Sequence, residues 1–277
     1  MKLKHLTLSL CFIFMAAFAS GQDKEVGIMI GAAQYQGDLS LKQVTFPATK
    51  LGVGAFFRYY FNPRVDIKAG LQYGTIEGND DNYPDVEDRM RRNFSFKSRV
   101  IELSAVLEYN ILPFISNSQR YRFAPYVFGG AAIFNFNPKA EYQGNWYALQ
   151  PLGTEGQNLG GEYPKPYSLI QFAIPYGFGF KYSLGKFWNL GLEVGQRKLF
   201  TDYLDDVSGA YPDQTALAAN NPMSANLSYR TTEVDPDGRW KEPAVGQMRG
   251  DPDDLDMYIF AGITISKTFR RFPCTDF

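Results

Sequence analysis

The segment "LFTDYLDDVSGAYPD" sets Asp202, Asp205 and Asp206 close together, and carboxylates at such short range could hold Ca²⁺ through oxygen. The spacing lacks the sixth-position glycine and closing glutamate of an EF-hand, so turn capping and solvation compete with metal binding for these residues. Paired carboxylates also suit glycoside hydrolysis, but nothing in a loop sequence sets the separation that this chemistry requires.

Other catalytic devices are missing. His5 is the only histidine, and it lies in "MKLKHLTLSLCFIFMAAFASGQ". There Lys2 and Lys4 precede an apolar run from Leu6 to Ala19, with small residues at Ala17, Ala19 and Gly21, which predicts a cleaved secretory signal peptide over residues 1–21. Its removal takes His5 away, and with it any Ser-His or Cys-His pair and any histidine metal ligand. Cys11 also leaves; it follows Leu10 inside the hydrophobic core and is badly placed for lipidation. Cys274 then remains as the only thiol, so no intramolecular disulfide is expected. No enzymatic activity and no cofactor are expected.

The chain has 277 residues, 45% hydrophobic and 16% aromatic, with a formal charge of −1. That allows one large β domain or two smaller ones. The charge balance offers no basic footprint, and no P-loop or G-x-G-x-x-G turn joins a strand to a helix, so nucleic acid is not an expected partner.

Strands carry most of the information. In "VDIKAGLQYG" Val65, Ile67, Ala69, Leu71 and Tyr73 alternate with Asp66, Lys68, Gly70, Gln72 and Gly74. The same period of two recurs in "EVGIMIGAAQY", "LGVGAFFRYYF", "RVIELSAVLEYN", "LIQFAIPYGFGFKY", "FWNLGLEVGQRKLF" and "MYIFAGITISKTF", while "RFAPYVFGGAAIFNF" is strand-like with ambiguous facing. These eight candidates have the length of a tilted bilayer crossing, and their connections alternate long and short. Alternation alone would also suit a soluble β-sandwich or a lipocalin-like barrel. The polar face, however, carries Gly52, Gly54, Gly70, Gly74, Gly177, Gly179, Gly191 and Gly195. Glycine is a poor choice for a water-facing strand position and a good one for the cramped inside of a small barrel.

The expected fold is therefore all-β: an eight-stranded antiparallel up-and-down transmembrane β-barrel of the outer membrane, with long extracellular loops. It spans residues 22–269 and is followed by a short periplasmic tail, 270–277. Val65, Ile67, Ala69 and Leu71 face lipid. Tyr59, Phe61, Tyr109, Tyr182, Phe187 and Trp188 form one aromatic girdle, and Tyr35, Tyr73 and Phe200 the other.

Parity places Arg58, Asp66, Lys68, Glu102, Glu108, Lys181, Glu193 and Arg197 inside, four bases against four acids. Paired ions would close the lumen and argue against a porin; a proton- or ion-conducting path is the other reading. Gln72→Arg is expected to be better tolerated than an arginine at Leu71, if the lumen can pair it. The short turns and the tail carry Arg64, Arg120, Arg122, Lys186, Arg270 and Arg271 without an acidic residue in the turns. Such a basic rim would steer an acidic periplasmic protein or, equally, neutralise lipid head groups.

The stretches "RYYFNPR", "APYVFGGAAIFNFNPKA", "LQPLGTEGQ", "FGFKYSLGKFWNLGLEVGQRK" and "FTDYLDDVSGAYPD" together resemble the PorG-like outer-membrane barrels of Bacteroidota, which are associated with the type IX secretion system. The resemblance implies an integral, non-catalytic barrel anchored to a periplasmic ring that contains a lipoprotein. The expected partners are thus outer-membrane lipids and that secretion-ring lipoprotein. Residues after the last strand extend past the usual terminal aromatic, so Phe269 rather than Phe277 is expected to close the assembly signal. The alternative function is a small barrel whose long surface loops bind a ligand or support envelope integrity or adhesion.

Overall fold

A computed structural model describes residues 23–40, 48–235 and 237–269. The expected signal peptide, Cys274, Arg270 and Arg271 lie outside the described residues.

Eight long antiparallel strands form a closed ring: β1 (Lys24–Gln36), β2 (Lys50–Asn62), β3 (Val65–Asn79), β4 (Ser95–Asn110), β5 (Phe123–Asn135), β8 (Ile170–Ser183), β9 (Trp188–Leu199) and β10 (Met257–Phe269). Each pairs with its neighbour in chain order, and β1 pairs with β10 from Lys24↔Phe269 to Gln36↔Met257, which closes the sheet without a free edge. Two short strands, β6 (Pro138–Tyr142) and β7 (Asn145–Ala148), make a hairpin beyond β5, where the sequence suggests only a loop. Its turn places Gln143 at φ 50° and Gly144 at φ 78°, the left-handed pair of a type I′ hairpin turn, and β6 continues onto β4 through Lys97↔Lys139.

The alternation is expressed as predicted. Along β3 Asp66, Lys68, Gly70, Gln72 and Gly74 are buried, whereas Ile67, Leu71 and Tyr73 are exposed large apolar side chains on a continuous outer belt. Beyond Tyr73 the outward row turns polar at Thr75 and Glu77, and Glu77 pairs with Lys50 at 2.6 Å. Val65 to Tyr73 is the span of a tilted membrane strand, so β3 and β4 rise past the apolar zone at the end where the long connections emerge. The ambiguous fifth strand resolves with Ala124, Tyr126, Phe128, Ala132 and Phe134 inward and Val127 and Ile133 outward. Among the described residues no helix is long and apolar enough to cross a membrane.

Two girdle residues depart from the expectation, and one of them, Tyr59, is buried although it shares the parity of the exposed Phe57 and Phe61. Tyr35 is 1% exposed, because it shares the odd parity of Gly27 and Met29 and points into the molecule rather than toward the lipid interface. Tyr73, Tyr109, Phe187, Trp188 and Phe200 are exposed at the outer surface.

The long connections fold into a cap. It contains α1 (Glu87–Arg92), α2 (Gln214–Asn220), α3 (Pro222–Ser228) and α4 (Thr231–Val234). One apolar cluster runs from the upper lumen, at Met29, Phe134, Tyr258 and Phe260, into the cap at Leu149, Tyr167, Leu204 and Leu227.

Leu71→Arg puts a cation on the lipid belt and should lower stability by about 2–4 kcal/mol, whereas Leu71→Phe should change it little. Urea unfolding in lipid, followed by the heat-dependent shift in gel migration, measures both. Equal stability of the two variants would contradict the assignment of this face to lipid.

Candidate functional site in the lumen and the loop cap

All eight inward charges expected from parity are buried. Glu108 of β4 is the centre of the lower group. Arg58 of β2 donates to it through Nε (2.9 Å) and Nη2 (3.3 Å), while Lys68 of β3 approaches to 3.0 Å and Lys181 of β8 to 2.6 Å. Lys181 also meets Asp66 at 2.8 Å, and the Asn110 side-chain amide donates to the same carboxylate at 3.0 Å. Lys68 pairs with Glu193 of β9, which accepts from the Tyr126 hydroxyl of β5 at 2.6 Å.

Arg58 has a further partner that the parity reading omitted. Glu25 of β1 pairs with it and also accepts from the Tyr60 hydroxyl (2.6 Å) and the Asn189 amide (3.0 Å). Glu25 lies on the same face as Gly27, so alternation could have found it at the start of its strand. With Glu25 included, the lumen acids outnumber the bases, and the expected four-to-four balance is corrected.

A second group sits higher. Arg197 of β9 forks onto Glu102 of β4 at 2.9 and 3.1 Å, and Glu102 accepts from the Tyr258 hydroxyl of β10 at 2.8 Å. Gln72 Oε1 accepts from Arg197 as well. An arginine at position 72 would therefore meet the like charge of Arg197 together with the Glu102 carboxylate opposite it in the strand pair. Every one of the eight barrel strands supplies at least one side chain to the two groups.

Aromatic rings fill what the ions leave. Phe260 lies where a side chain on Gly74 would be, 2.6 Å from the position of a Cβ, and Phe128 lies 2.7 Å from that of Gly195. Inward glycines thus accommodate inward rings that reach across the lumen from strands they do not pair with. A gap lined by Met29, Phe56, Lys68, Gln72, Ser104 and Glu193 holds about 10 Å³, room for a single water. At the lower end the connection 111–122 tucks inward rather than projecting. Phe114 stacks on Tyr60 at 6.2 Å, and Ser116 donates to Asn189 at 3.2 Å.

The aspartates of the last long connection brace the cap. The Tyr35 hydroxyl is shared between Asp205 (2.6 Å) and Asp256 (3.0 Å), and Asp256 accepts from the Leu204 amide. Asp206 accepts from the hydroxyls of Thr154 (2.5 Å) and Tyr167 (2.7 Å). Asp202 is buried with both carboxylate oxygens lacking a hydrogen-bond donor. These side chains point to different partners, and among the described residues no three His, Cys, Asp or Glu side chains are grouped to hold a metal ion. Burial pushes Asp206 up to about 6 and Asp202 up to about 7, and raises Asp205 and Asp256 well above the usual carboxylate range. Above them Phe136, Tyr167 and Tyr203 stack in a row, at 6.0 and 4.8 Å.

The short-turn end is different. Arg64, Arg120, Arg122 and Lys186 are exposed there, with Arg64 also donating to the Ile111 carbonyl at 2.7 Å. They share a rim rather than a pocket.

A closed ring of eight antiparallel strands with an apolar exterior and a filled lumen defines a transmembrane β-barrel of the outer-membrane class. The chain belongs to the family described as a domain of unknown function, DUF6089, whose model matches residues 4–228. No curated protein matches it. Among solved structures it is similar to Ail, the attachment invasion locus protein of Yersinia pestis, in complex with the heparin analogue sucrose octasulfate. Identity is 8% over 90% of this chain and 100% of that one, with a TM-score of 0.42. Neisserial surface protein A is 9% identical over 90% and 98% of the two chains, with a TM-score of 0.39. The N-terminal β-barrel domain of Pseudomonas aeruginosa OprF is 11% identical over 90% and 100%, with a TM-score of 0.37. The fold assignment rests on the strand pairing of this chain itself.

Two outcomes follow from these contacts. Arg58→Met removes one cation from Glu25 and Glu108 at once and should cost about 3–5 kcal/mol in urea unfolding; a loss below about 1 kcal/mol would show that the pairs do not support the barrel. For the cap, the raised carboxyls add stability that is complete below the ordinary carboxylate range and is lost as pH rises through their folded values, about 6 for Asp206. Hydrogen exchange of residues 200–256, corrected for its intrinsic pH dependence, should be slower near pH 5 than near pH 8. Faster exchange at the lower pH would contradict that sign.

Proposed function

We propose that this chain is a closed, non-catalytic outer-membrane barrel that acts as an anchor and docking platform rather than as a pore. The observation that carries this reading is the lumen itself, occupied by ion pairs and rings drawn from all eight strands. A barrel that moved solutes would need a continuous aqueous path, and side chains take that space here. The same burial of charge makes the wall rigid, which suits a platform.

The finer proposal is a structural component of the type IX secretion machinery of Bacteroidota, in contact with a lipoprotein of a periplasmic ring. Its support is the PorG-like resemblance of the stretches around "RYYFNPR" and "FTDYLDDVSGAYPD", together with the rim of Arg64, Arg120, Arg122 and Lys186. In bacterial barrels short turns face the periplasm, and no acidic residue occurs in the turns 62–64, 111–122 and 184–187 to oppose the field of these cations.

Reversing Arg120, Arg122 and Lys186 to glutamate together should leave the heat-modifiable barrel intact, reduce its co-purification with the ring lipoprotein and lower export of secretion cargo. Unchanged export after deletion of the whole chain would remove the secretion reading. Unchanged co-purification in the reversed variant would remove the rim as its contact.

A further inference from the structure

The cap holds a cleft that the anchor reading does not use. It opens between α1 and the connection from β9 to β10, encloses about 440 Å³, and is lined by Arg89, Arg91, Arg92 and Arg249 together with Tyr211 and Tyr229. Among the described residues, Asp88 is the only acidic side chain on its wall. The carboxylates that hold the arginines are withdrawn from it. Asp80, fully buried, takes Arg89 at 3.1 Å and Arg92 at 2.8 Å, and Glu155, 1% exposed, takes Arg249 at 3.0 Å.

Two of the guanidiniums retain unused capacity. Arg91 donates to the Lys241 carbonyl at 2.7 Å and, among the described residues, has no carboxylate within ion-pair distance. Arg249 is 4% exposed, yet its buried Nε has no hydrogen-bond partner. A buried unpaired donor of a charged group is costly, and an oxygen from a ligand would satisfy it. Arg249, Arg92 and Arg91 act electrostatically on the Tyr211 hydroxyl, with the buried Asp80 carboxylate opposing them.

We infer that this cleft binds a sugar bearing an oxyanion, a phosphate, sulfate or carboxylate. The planar guanidinium fork matches such oxygens in pairs. A volume of about 440 Å³ is far more than a bare phosphate needs and lies within the range of small-ligand sites. Half-buried Tyr229 and exposed Gln247 offer an aromatic and a polar side chain for the rest of the molecule, while Tyr211 and Thr231 form the buried floor, the Thr231 hydroxyl donating to the Arg91 carbonyl at 2.6 Å. The source is either a free saccharide or the head group of a glycolipid in the same membrane.

Calorimetry on the detergent-solubilised full chain, with glucose 6-phosphate, glucuronate, glucose and inorganic phosphate as probes, tests this site. The anionic sugars should bind and neutral glucose should not. Affinity should fall as salt rises, and Arg91→Ala should weaken binding about tenfold while the heat-dependent gel shift is retained. Arg89→Ala serves the same purpose if the first variant does not fold. In nanodiscs containing a phosphorylated glycolipid, loss of glucose 6-phosphate binding would identify the membrane source, and unchanged binding a soluble one. Absence of binding by both anionic sugars, equal affinity in wild type and Arg91→Ala, or binding of inorganic phosphate alone would overturn the assignment and leave the arginines as a brace for the cap.

Discussion

A carboxylate inside a barrel of this radius has almost no water to solvate it, so it must be met by cations from the opposite wall. Glu108 shows the consequence. Its two oxygens engage Arg58, Lys68 and Lys181 from three other strands, and these in turn hold Glu25, Asp66 and Glu193. Removing one member leaves a charge buried without compensation, which is far more costly than exchanging the whole set for apolar side chains would be. The network therefore fixes the ring as a unit. Tyr126 extends it to β5, and the separate Arg197–Glu102 group reaches β10 through Tyr258; neither strand contributes an inward charge of its own.

The same constraint of radius explains the glycines and the rings. Where Phe128 or Phe260 crosses the lumen, the facing position must be nearly empty, and Gly195 or Gly74 supplies that space. Higher up the ions give way to a column of aromatic side chains in which Phe260, Tyr258, Phe134, Phe136 and Tyr167 are each in contact with the next. This column leads directly into the cap, so barrel and loops share one interior. The cap is held from beneath by Tyr35, whose hydroxyl lies between Asp205 and Asp256.

Much of this was legible in the sequence wherever a period of two was clean. Asp66, Lys68 and Gln72 could be assigned inward because their neighbours Ile67 and Leu71 are plainly lipid-soluble. The strand of residues 123–135 resisted because both of its faces are apolar: one contacts lipid and the other lines a dry lumen, so polarity does not distinguish them. Tyr35 was misplaced because an aromatic at a strand end suggests an interface, although its parity with Gly27 and Met29 points inward. The cap was not legible. Its contacts join residues far apart in the chain, such as Glu155 with Arg249 and Asp80 with Arg92, and neither local periodicity nor composition reports such pairs. The short-turn rim was easier, since charges that remain solvated can be read position by position.

The functional proposals divide along the axis of the barrel. One end offers exposed cations, the other a folded cap, and between them the lumen is filled with paired charge. Planar-bilayer conductance of the purified, refolded barrel at neutral pH tests that division most directly. The account predicts no steady current above that of the bare bilayer. Discrete, long-lived openings in the intact protein would contradict it, because ions would then be crossing where Glu108 and its three cations are placed.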